Sequence, residues 1–313
     1  MHIVNKLYAQ ITTVGCLLLL TVSVLFAQIS ETEKAAIEQA APTQAPAQPQ
    51  KMRKILVMNL NMRNKTETKG HPSTICGNYA LKLMGERTGA FQITLSNDTL
   101  MFKKENLSQF DALCFLNTAG VLCQDPELRM NILDFVSSGG GFIGIHAAAA
   151  TFVQWPEYWQ FPAFGQMLGA YEDGGHPWKP DETIYLQIED KNHPLTEMFP
   201  EDSFPIQDEV FQFRAPYTRD LLHILLTIDT QKTDMSPARR FLPERYHDQD
   251  FAMSWIRTYG KGRVFYTSLG HNAHIYWNEA VLKHILSGIQ FALGDLEADA
   301  RPSSTLRSFN GEK

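Results

Sequence analysis

The chain has 313 residues, 44% hydrophobic and 20% charged, which places it in the globular range and excludes a wholly disordered or fibrous protein. Its 28 Lys and Arg against 34 Asp and Glu leave a net charge of −6, so no surplus of basic residues exists to neutralise phosphates and no nucleic acid partner is expected. Four cysteines in this length exclude a small disulfide scaffold.

Residues 1–27 read as an export signal. Lys6 stands in a short basic region, Ile11 to Phe26 is apolar apart from Thr12, Thr13, Gly15, Thr21 and Ser23, and Ala27 supplies a small residue before Gln28. The run has the length of a secretory apolar region and is short for a transmembrane helix, which needs roughly 20 apolar residues. An uncleaved N-terminal anchor is the other reading. Under both, the folded part is exported, periplasmic or envelope-associated, and a membrane is met only through this segment. From Gln39 to Gln50, eleven of twelve residues are Ala, Pro or Gln, so residues 28–52 are expected to be a linker that buries too little surface to offset its ordering entropy. Residues 295–313 are polar and aperiodic and are expected to be a flexible tail. One compact body, 53–294, remains.

Lys54–Leu60 is an apolar run rich in strand formers. Ser73 is placed to cap a helix from Thr74 to Thr88, which Gly89 ends. Phe91–Leu95 is a second strand and Asp111–Leu116 a third. Asp125-Pro126 opens a helix with Leu128, Ile132, Phe135 and Val136 at helical spacing, and Gly141–His146 is a fourth strand. Continuous apolar strands separated by helices predict a parallel sheet covered on both faces. Residues 54–60, 111–116 and 141–146 are therefore expected to be neighbouring parallel strands. In the second half, Thr183–Glu189, Glu209–Arg214, Leu221–Asp229, Phe251–Thr258 and Arg263–Leu269 read as strands. The last two form a hairpin across Gly260-Lys261-Gly262, and a helix over Asn278–Leu293 closes the body. The expected fold class is α/β, a flavodoxin-like layered sheet with an antiparallel extension.

Ligands gather at the carboxyl ends of parallel strands. His71 follows the first strand, Asn117-Thr118 the third, His146 the fourth and His271 the last strand of the hairpin, while His176, Asp208 and Glu209 lie in loops or at a strand start. His71, His146, Glu209 and His271 are thus expected to line one pocket with His176 at its rim, provided that the strand before His271 runs parallel to the fourth.

The stretch Gly139-Gly140-Gly141-Phe142-Ile143-Gly144-Ile145-His146-Ala147-Ala148-Ala149 resembles the signature of the ThuA-like (trehalose utilisation) family. So does Tyr259-Gly260-Lys261-Gly262-Arg263-Val264-Phe265-Tyr266-Thr267-Ser268-Leu269-Gly270-His271, and His71 with Ser73, Phe115-Leu116-Asn117-Thr118, His176-Pro177 and Asp208-Glu209 occur in the family's order. Two departures stand out: Ala150 occupies a position where the family usually has Asp, and Val210-Phe211 replace an aromatic pair. The resemblance implies a fold similar to class I glutamine amidotransferases. Those enzymes place a nucleophilic Cys on the turn after a strand, and here that turn carries His146, so Cys-dependent glutaminase chemistry is excluded.

The family's link to disaccharide use implies a sugar as the small-molecule substrate, a disaccharide or a keto-glycoside, converted by an isomerase, lyase or hydrolase. His146, Glu209, His271 and His71 are the candidate catalytic residues, with His176, Asp208, Asn117 and Ser73 as substrate-binding candidates. Glu209 with His146 or His271 suits proton transfer next to a carbonyl. A divalent metal on His146, Glu209 and His271 is the alternative way to polarise it. A non-catalytic carbohydrate-binding module is the other class, since Trp155, Tyr158, Trp159, Tyr171 and Trp178 cluster in the middle loops. His274 stands three residues beyond His271 and suits the surface. A Cys76–Cys123 disulfide and the oligomeric state stay open.

Overall fold

Arg53–Met58 (β1), Ala112–Leu116 (β3) and Gly141–Ile145 (β4) are nearly continuous apolar runs, and each is buried along most or all of its length. In the computed structural model, which describes residues 28–63, 66–154, 160–172 and 175–310, they lie side by side. Between and after them come Phe91–Leu95 (β2), Thr183–Ile188 (β5), Ser203–Gln207 (β6), His223–Ile228 (β7), Ala252–Tyr259 (β8) and Gly262–Thr267 (β9). The helices used below are Glu31–Ala40 (α1), Thr74–Thr88 (α2), Pro126–Ser137 (α3), Glu279–Leu293 (α4) and Ser303–Asn310 (α5).

One nine-stranded sheet has the order β2-β1-β3-β4-β9-β8-β7-β5-β6. From β2 through β9 every pairing is parallel, and from β9 to β6 every pairing is antiparallel. The three apolar runs are parallel neighbours as expected, and the antiparallel extension joins them through β9. Two apolar layers cover the sheet. Ala80, Leu81 and Met84 of α2 with Leu282, Ile285 and Ile289 of α4 fill one face, and Leu128, Ile132 and Val136 of α3 fill the other. The β8–β9 hairpin turns at Gly260, whose φ of +59° and carbonyl neighbour (Ser137 O, 2.5 Å from where a Cβ would stand) admit only glycine.

Several expectations need correction. Glu209–Arg214 is not a strand of the sheet. Its place is taken by β6, at the sheet's edge, which pairs through Pro205 opposite Tyr185; a proline fits there because an edge strand has no outer partner for its missing N–H. Asp208 and Glu209 therefore begin a loop, and only Phe213–Arg214 pairs, with Tyr171–Glu172. Ser73 does not cap α2 with its side chain.

Residues 28–52 do not behave as a linker. Ser30 and Glu33 form a reciprocal capping box on α1, Ile37 is fully buried, and Tyr79 donates its hydroxyl proton to Glu38. The following Ala/Pro/Gln stretch lies along α4. Gln290 accepts from the N–H of Ala47 at 2.9 Å and donates to its carbonyl at 2.7 Å, while Asp295 takes the N–H of Gln50 and pairs with Arg53. Composition argued only from apolar burial; here side chains on the body satisfy the segment's backbone instead. The tail is anchored in the same way. His193 and His223 donate to the carbonyls of Asp299 and Arg301, and Ser303 caps the N–H of Ile224 at 2.8 Å. The expected signal or anchor, 1–27, lies outside the described residues. Among the described residues no helix is long and apolar enough to cross a membrane. Cys76, Cys114 and Cys123 are free thiols, and burial pushes those of Cys76 and Cys123 up to about 11.

Candidate functional site

Because β1, β4 and β9 run parallel, the segments that follow them emerge at one edge of the sheet. They bring His71, His146 and His271 together. The loop after β6 folds over this edge and adds Glu209. One ligand-type atom from each of the four lies within 4.8 Å of those of the others. The rings of His71 and His146 meet edge to face at 4.8 Å, and those of His71 and His271 at 5.0 Å.

His146 is the first residue of a tight turn closing β4 and takes a φ of +50°, a left-handed conformation uncommon for a residue with a Cβ. The ring is fully buried, with Phe211 stacked on it at 4.6 Å. Its Nδ1 lies 2.8 Å from the carbonyl of Ser268. A carbonyl only accepts, so Nδ1 carries the proton and Nε2 presents its lone pair to the cluster. The Tyr266 hydroxyl holds the His146 carbonyl at 2.8 Å. Burial first, and the neighbouring imidazoles second, hold His146 well below its ordinary pKa, so the ring is neutral.

Glu209 Oε1 is the hub. It stands 3.2 Å from His271 Nδ1, 3.4 Å from His176 Nδ1 and 3.9 Å from His146 Nε2. Burial would raise the Glu209 pKa, but the hydrogen bond from His271 and the nearby imidazoles outweigh it and hold the group below the usual carboxylate range. His271 shows the reciprocal balance: burial pulls it down, yet Glu209 and Asp208 leave it above its ordinary value. His71 falls to about 4, chiefly by burial, and its Nδ1 is buried without a protein partner. His176 sits at the rim with 36% of its side chain exposed, as expected.

Three of the substrate-binding candidates point elsewhere. Both Asp208 oxygens accept from backbone N–H groups, of Gly270 at 2.6 Å, Asn272 at 2.7 Å and His271 at 3.3 Å. The carboxyl is fully buried, which pushes its pKa up to about 7 against the pull of those donors. Asp208 thus fixes the His271 segment. Ser73 donates to the carbonyl of Gly270 at 2.8 Å and accepts from Asn117 Nδ2 at 3.2 Å, so this buried pair ties the His71 loop to the same segment. Their polar type signals the strand edge, but the partners they found are neighbouring loops. Gly270 itself, at φ +131°, leaves no room for a Cβ, which would stand 2.6 Å from the Tyr276 hydroxyl.

His274 turns away and bonds the carbonyl of Gln207 at 2.7 Å. Trp178 and Tyr171 are core residues at 1% and 2% exposure, so neither forms a sugar platform; Trp155, Tyr158 and Trp159 lie outside the described residues. Sequence reasoning missed Phe211 and Ser268 as parts of the site. Ser268 was inside a recognised motif, but nothing in its residue type says that its carbonyl fixes a tautomer.

Three imidazole nitrogens and a carboxylate oxygen are the donor set of a first-row divalent cation rather than of magnesium or calcium. The spacing agrees. Bonds of about 2.0–2.1 Å in a tetrahedron separate ligand atoms by roughly 3.4 Å, and His271 Nδ1 lies 3.3 Å from His146 Nε2 and 3.2 Å from Glu209 Oε1. The Nδ1–H to carbonyl bond of His146 is the usual outer support of a ligating imidazole.

A sequence model of the family described as "Trehalose utilisation" (ThuA) matches residues 56–292. No curated protein matches the chain. Among solved structures, a ThuA-like protein from Bacteroides uniformis superposes with a TM-score of 0.59 at 18% identity, covering 79% of this chain and 94% of that one. A ThuA-like protein from Parabacteroides merdae gives 0.55 at 19% identity, covering 82% and 96%. At this identity the likeness speaks for the fold, which is of the glutamine amidotransferase type.

Proposed function

Since the chain belongs to the ThuA, trehalose-utilisation, family, we propose that it converts a disaccharide or a keto-glycoside by metal-assisted chemistry at the cluster of His71, His146, Glu209 and His271. The observation that carries this reading is the convergence of three imidazoles and one carboxylate from four separate loops with their ligand atoms within 4.8 Å. A bound divalent ion would polarise a carbonyl or hydroxyl oxygen of the sugar. The protein's own part is to keep His146 neutral and oriented through Ser268, to wall off one face of that ring with Phe211, and to hold His176 at the rim, where it can hydrogen-bond a substrate oxygen. The 3.2 Å contact between Glu209 and His271 favours a second reading, in which the two act as a metal-free proton-transfer pair.

Elemental analysis of the purified protein, with a screen of oxidised and unoxidised disaccharides, separates these readings. About one zinc, manganese or iron per chain that a chelator removes together with turnover is the expected result. Turnover without metal would leave the proton-transfer pair, and sugar binding without turnover would leave a carbohydrate-binding module.

We also propose that this conversion takes place outside the cytoplasm; the apolar run from Ile11 to Phe26 before Ala27 supports it. N-terminal sequencing of protein from the native envelope should begin close to Gln28. Retention of Met1 would overturn cleavage and favour the anchor.

A further inference from the structure

Beside the cluster lies a cavity of about 370 Å³ lined by Asn61, Arg63, Thr68, Lys69, Gly70, His71 and Pro72. We propose that it receives the anionic group, a carboxylate or a phosphate, of an acidic sugar whose ring then lies against His71 and the cluster. This inference rests on the reading of that cluster as a sugar-converting site and names its substrate class.

The wall is built for it. Arg63 and Lys69 are exposed, and neither forms an ion pair with a described carboxylate. Arg63 stands close enough for its charge to be felt at the His71 imidazole. Asn61 is already engaged, accepting from Thr68 Oγ1 at 2.8 Å and donating to the carbonyl of Asn117, so it shapes the wall and leaves recognition to the cations. An arginine fork matches a carboxylate or phosphate with two parallel hydrogen bonds, and lysine adds a point charge. Two cations without a described carboxylate partner thus stand at the mouth of one cavity. A divalent ion held by one carboxylate and three neutral imidazoles would leave further positive charge at the same place. The volume sits at the low end of ligand pockets, roughly 300–1,000 Å³, which suits one sugar ring with its charged substituent.

Calorimetric binding of glucose, glucuronate and glucose 6-phosphate to the full chain tests this. At least one of the two anionic sugars should bind ten-fold or more tightly than glucose, and the advantage should shrink as salt rises. Preference for glucuronate assigns a carboxylate and preference for glucose 6-phosphate a phosphate. Arg63→Ala should remove most of the advantage and Lys69→Ala part of it, with metal content unchanged in both. Equal affinities, no binding of any of the three, or an anionic preference that survives the double substitution would overturn the proposal. A wild-type protein that turns over no sugar, with or without metal, would instead refute the reading of the cluster as a sugar-converting site, whichever sugar binds.

Discussion

Alanine in place of His146 is expected to lower turnover by about 10²-fold or more, the usual scale for losing a positioned catalytic group, and to empty the site of metal. Two effects have to be kept apart, because this ring is fully buried and its Nδ1–H satisfies the Ser268 carbonyl. Removing it leaves that carbonyl without its donor, which costs about 1–3 kcal/mol of stability on its own. His146→Asn is the control. Asparagine tolerates the left-handed backbone at this turn and keeps an N–H for Ser268, yet it has no nitrogen where Nε2 stands. It should unfold close to wild type and be as inactive as His146→Ala. Glu209→Ala should behave likewise, being only half-buried at the hub. Normal turnover by folded His146→Asn and Glu209→Ala proteins would show that this cluster is not the site, and the binding-module reading would then lead.

The neighbouring carboxylate should give the opposite signature. Asp208→Ala strands the buried N–H of Gly270 and the half-buried N–H groups of His271 and Asn272. Each buried polar group left unpaired costs about 1–3 kcal/mol, so a loss of several kcal/mol and a clearly lower melting temperature are expected. The His271 segment would also loosen, and metal affinity should fall about 10–100-fold, the scale seen when an outer support of a ligand is removed. Asp208 is thus a positioning residue and Glu209 a site residue, although they are adjacent in the chain. A melting temperature unchanged by Asp208→Ala would contradict this division.

The parallel half of the sheet could be read from the sequence because Lys54–Leu60, Asp111–Leu116 and Gly141–His146 are apolar on both faces, a pattern that only a covered strand shows. The edge strand could not. Pro205 argues against a strand unless one already knows that the segment lies at the border of the sheet, and the alternation in Glu209–Arg214 imitated the strand that β6 supplies. The three histidines of the cluster were legible because strand direction alone brings the chain after β1, β4 and β9 to one edge, whereas Glu209 joins them only because the loop after β6 folds over it. Whether a polar residue there faces the cavity or a neighbouring backbone was not legible, since Asp208, Ser73 and Asn117 are defined by partners 44 to 197 positions away in the chain. The ordered course of residues 28–52 was hidden for the same reason: Gln290 and Asp295, near the far end of the chain, hold it down.

The strand made last is the one that sits in the middle. β9 pairs with β4 on one side and β8 on the other, and it is the sole bridge between the parallel and antiparallel halves of the sheet. Until residues 262–267 leave the ribosome, β4 has a bare apolar edge, and the chain holds two half-sheets that cannot find each other. His271 follows four residues later, so the cluster is assembled only after both halves have closed on β9. A chain truncated before Gly262 should therefore be recovered only as an aggregate or in the grip of a chaperone.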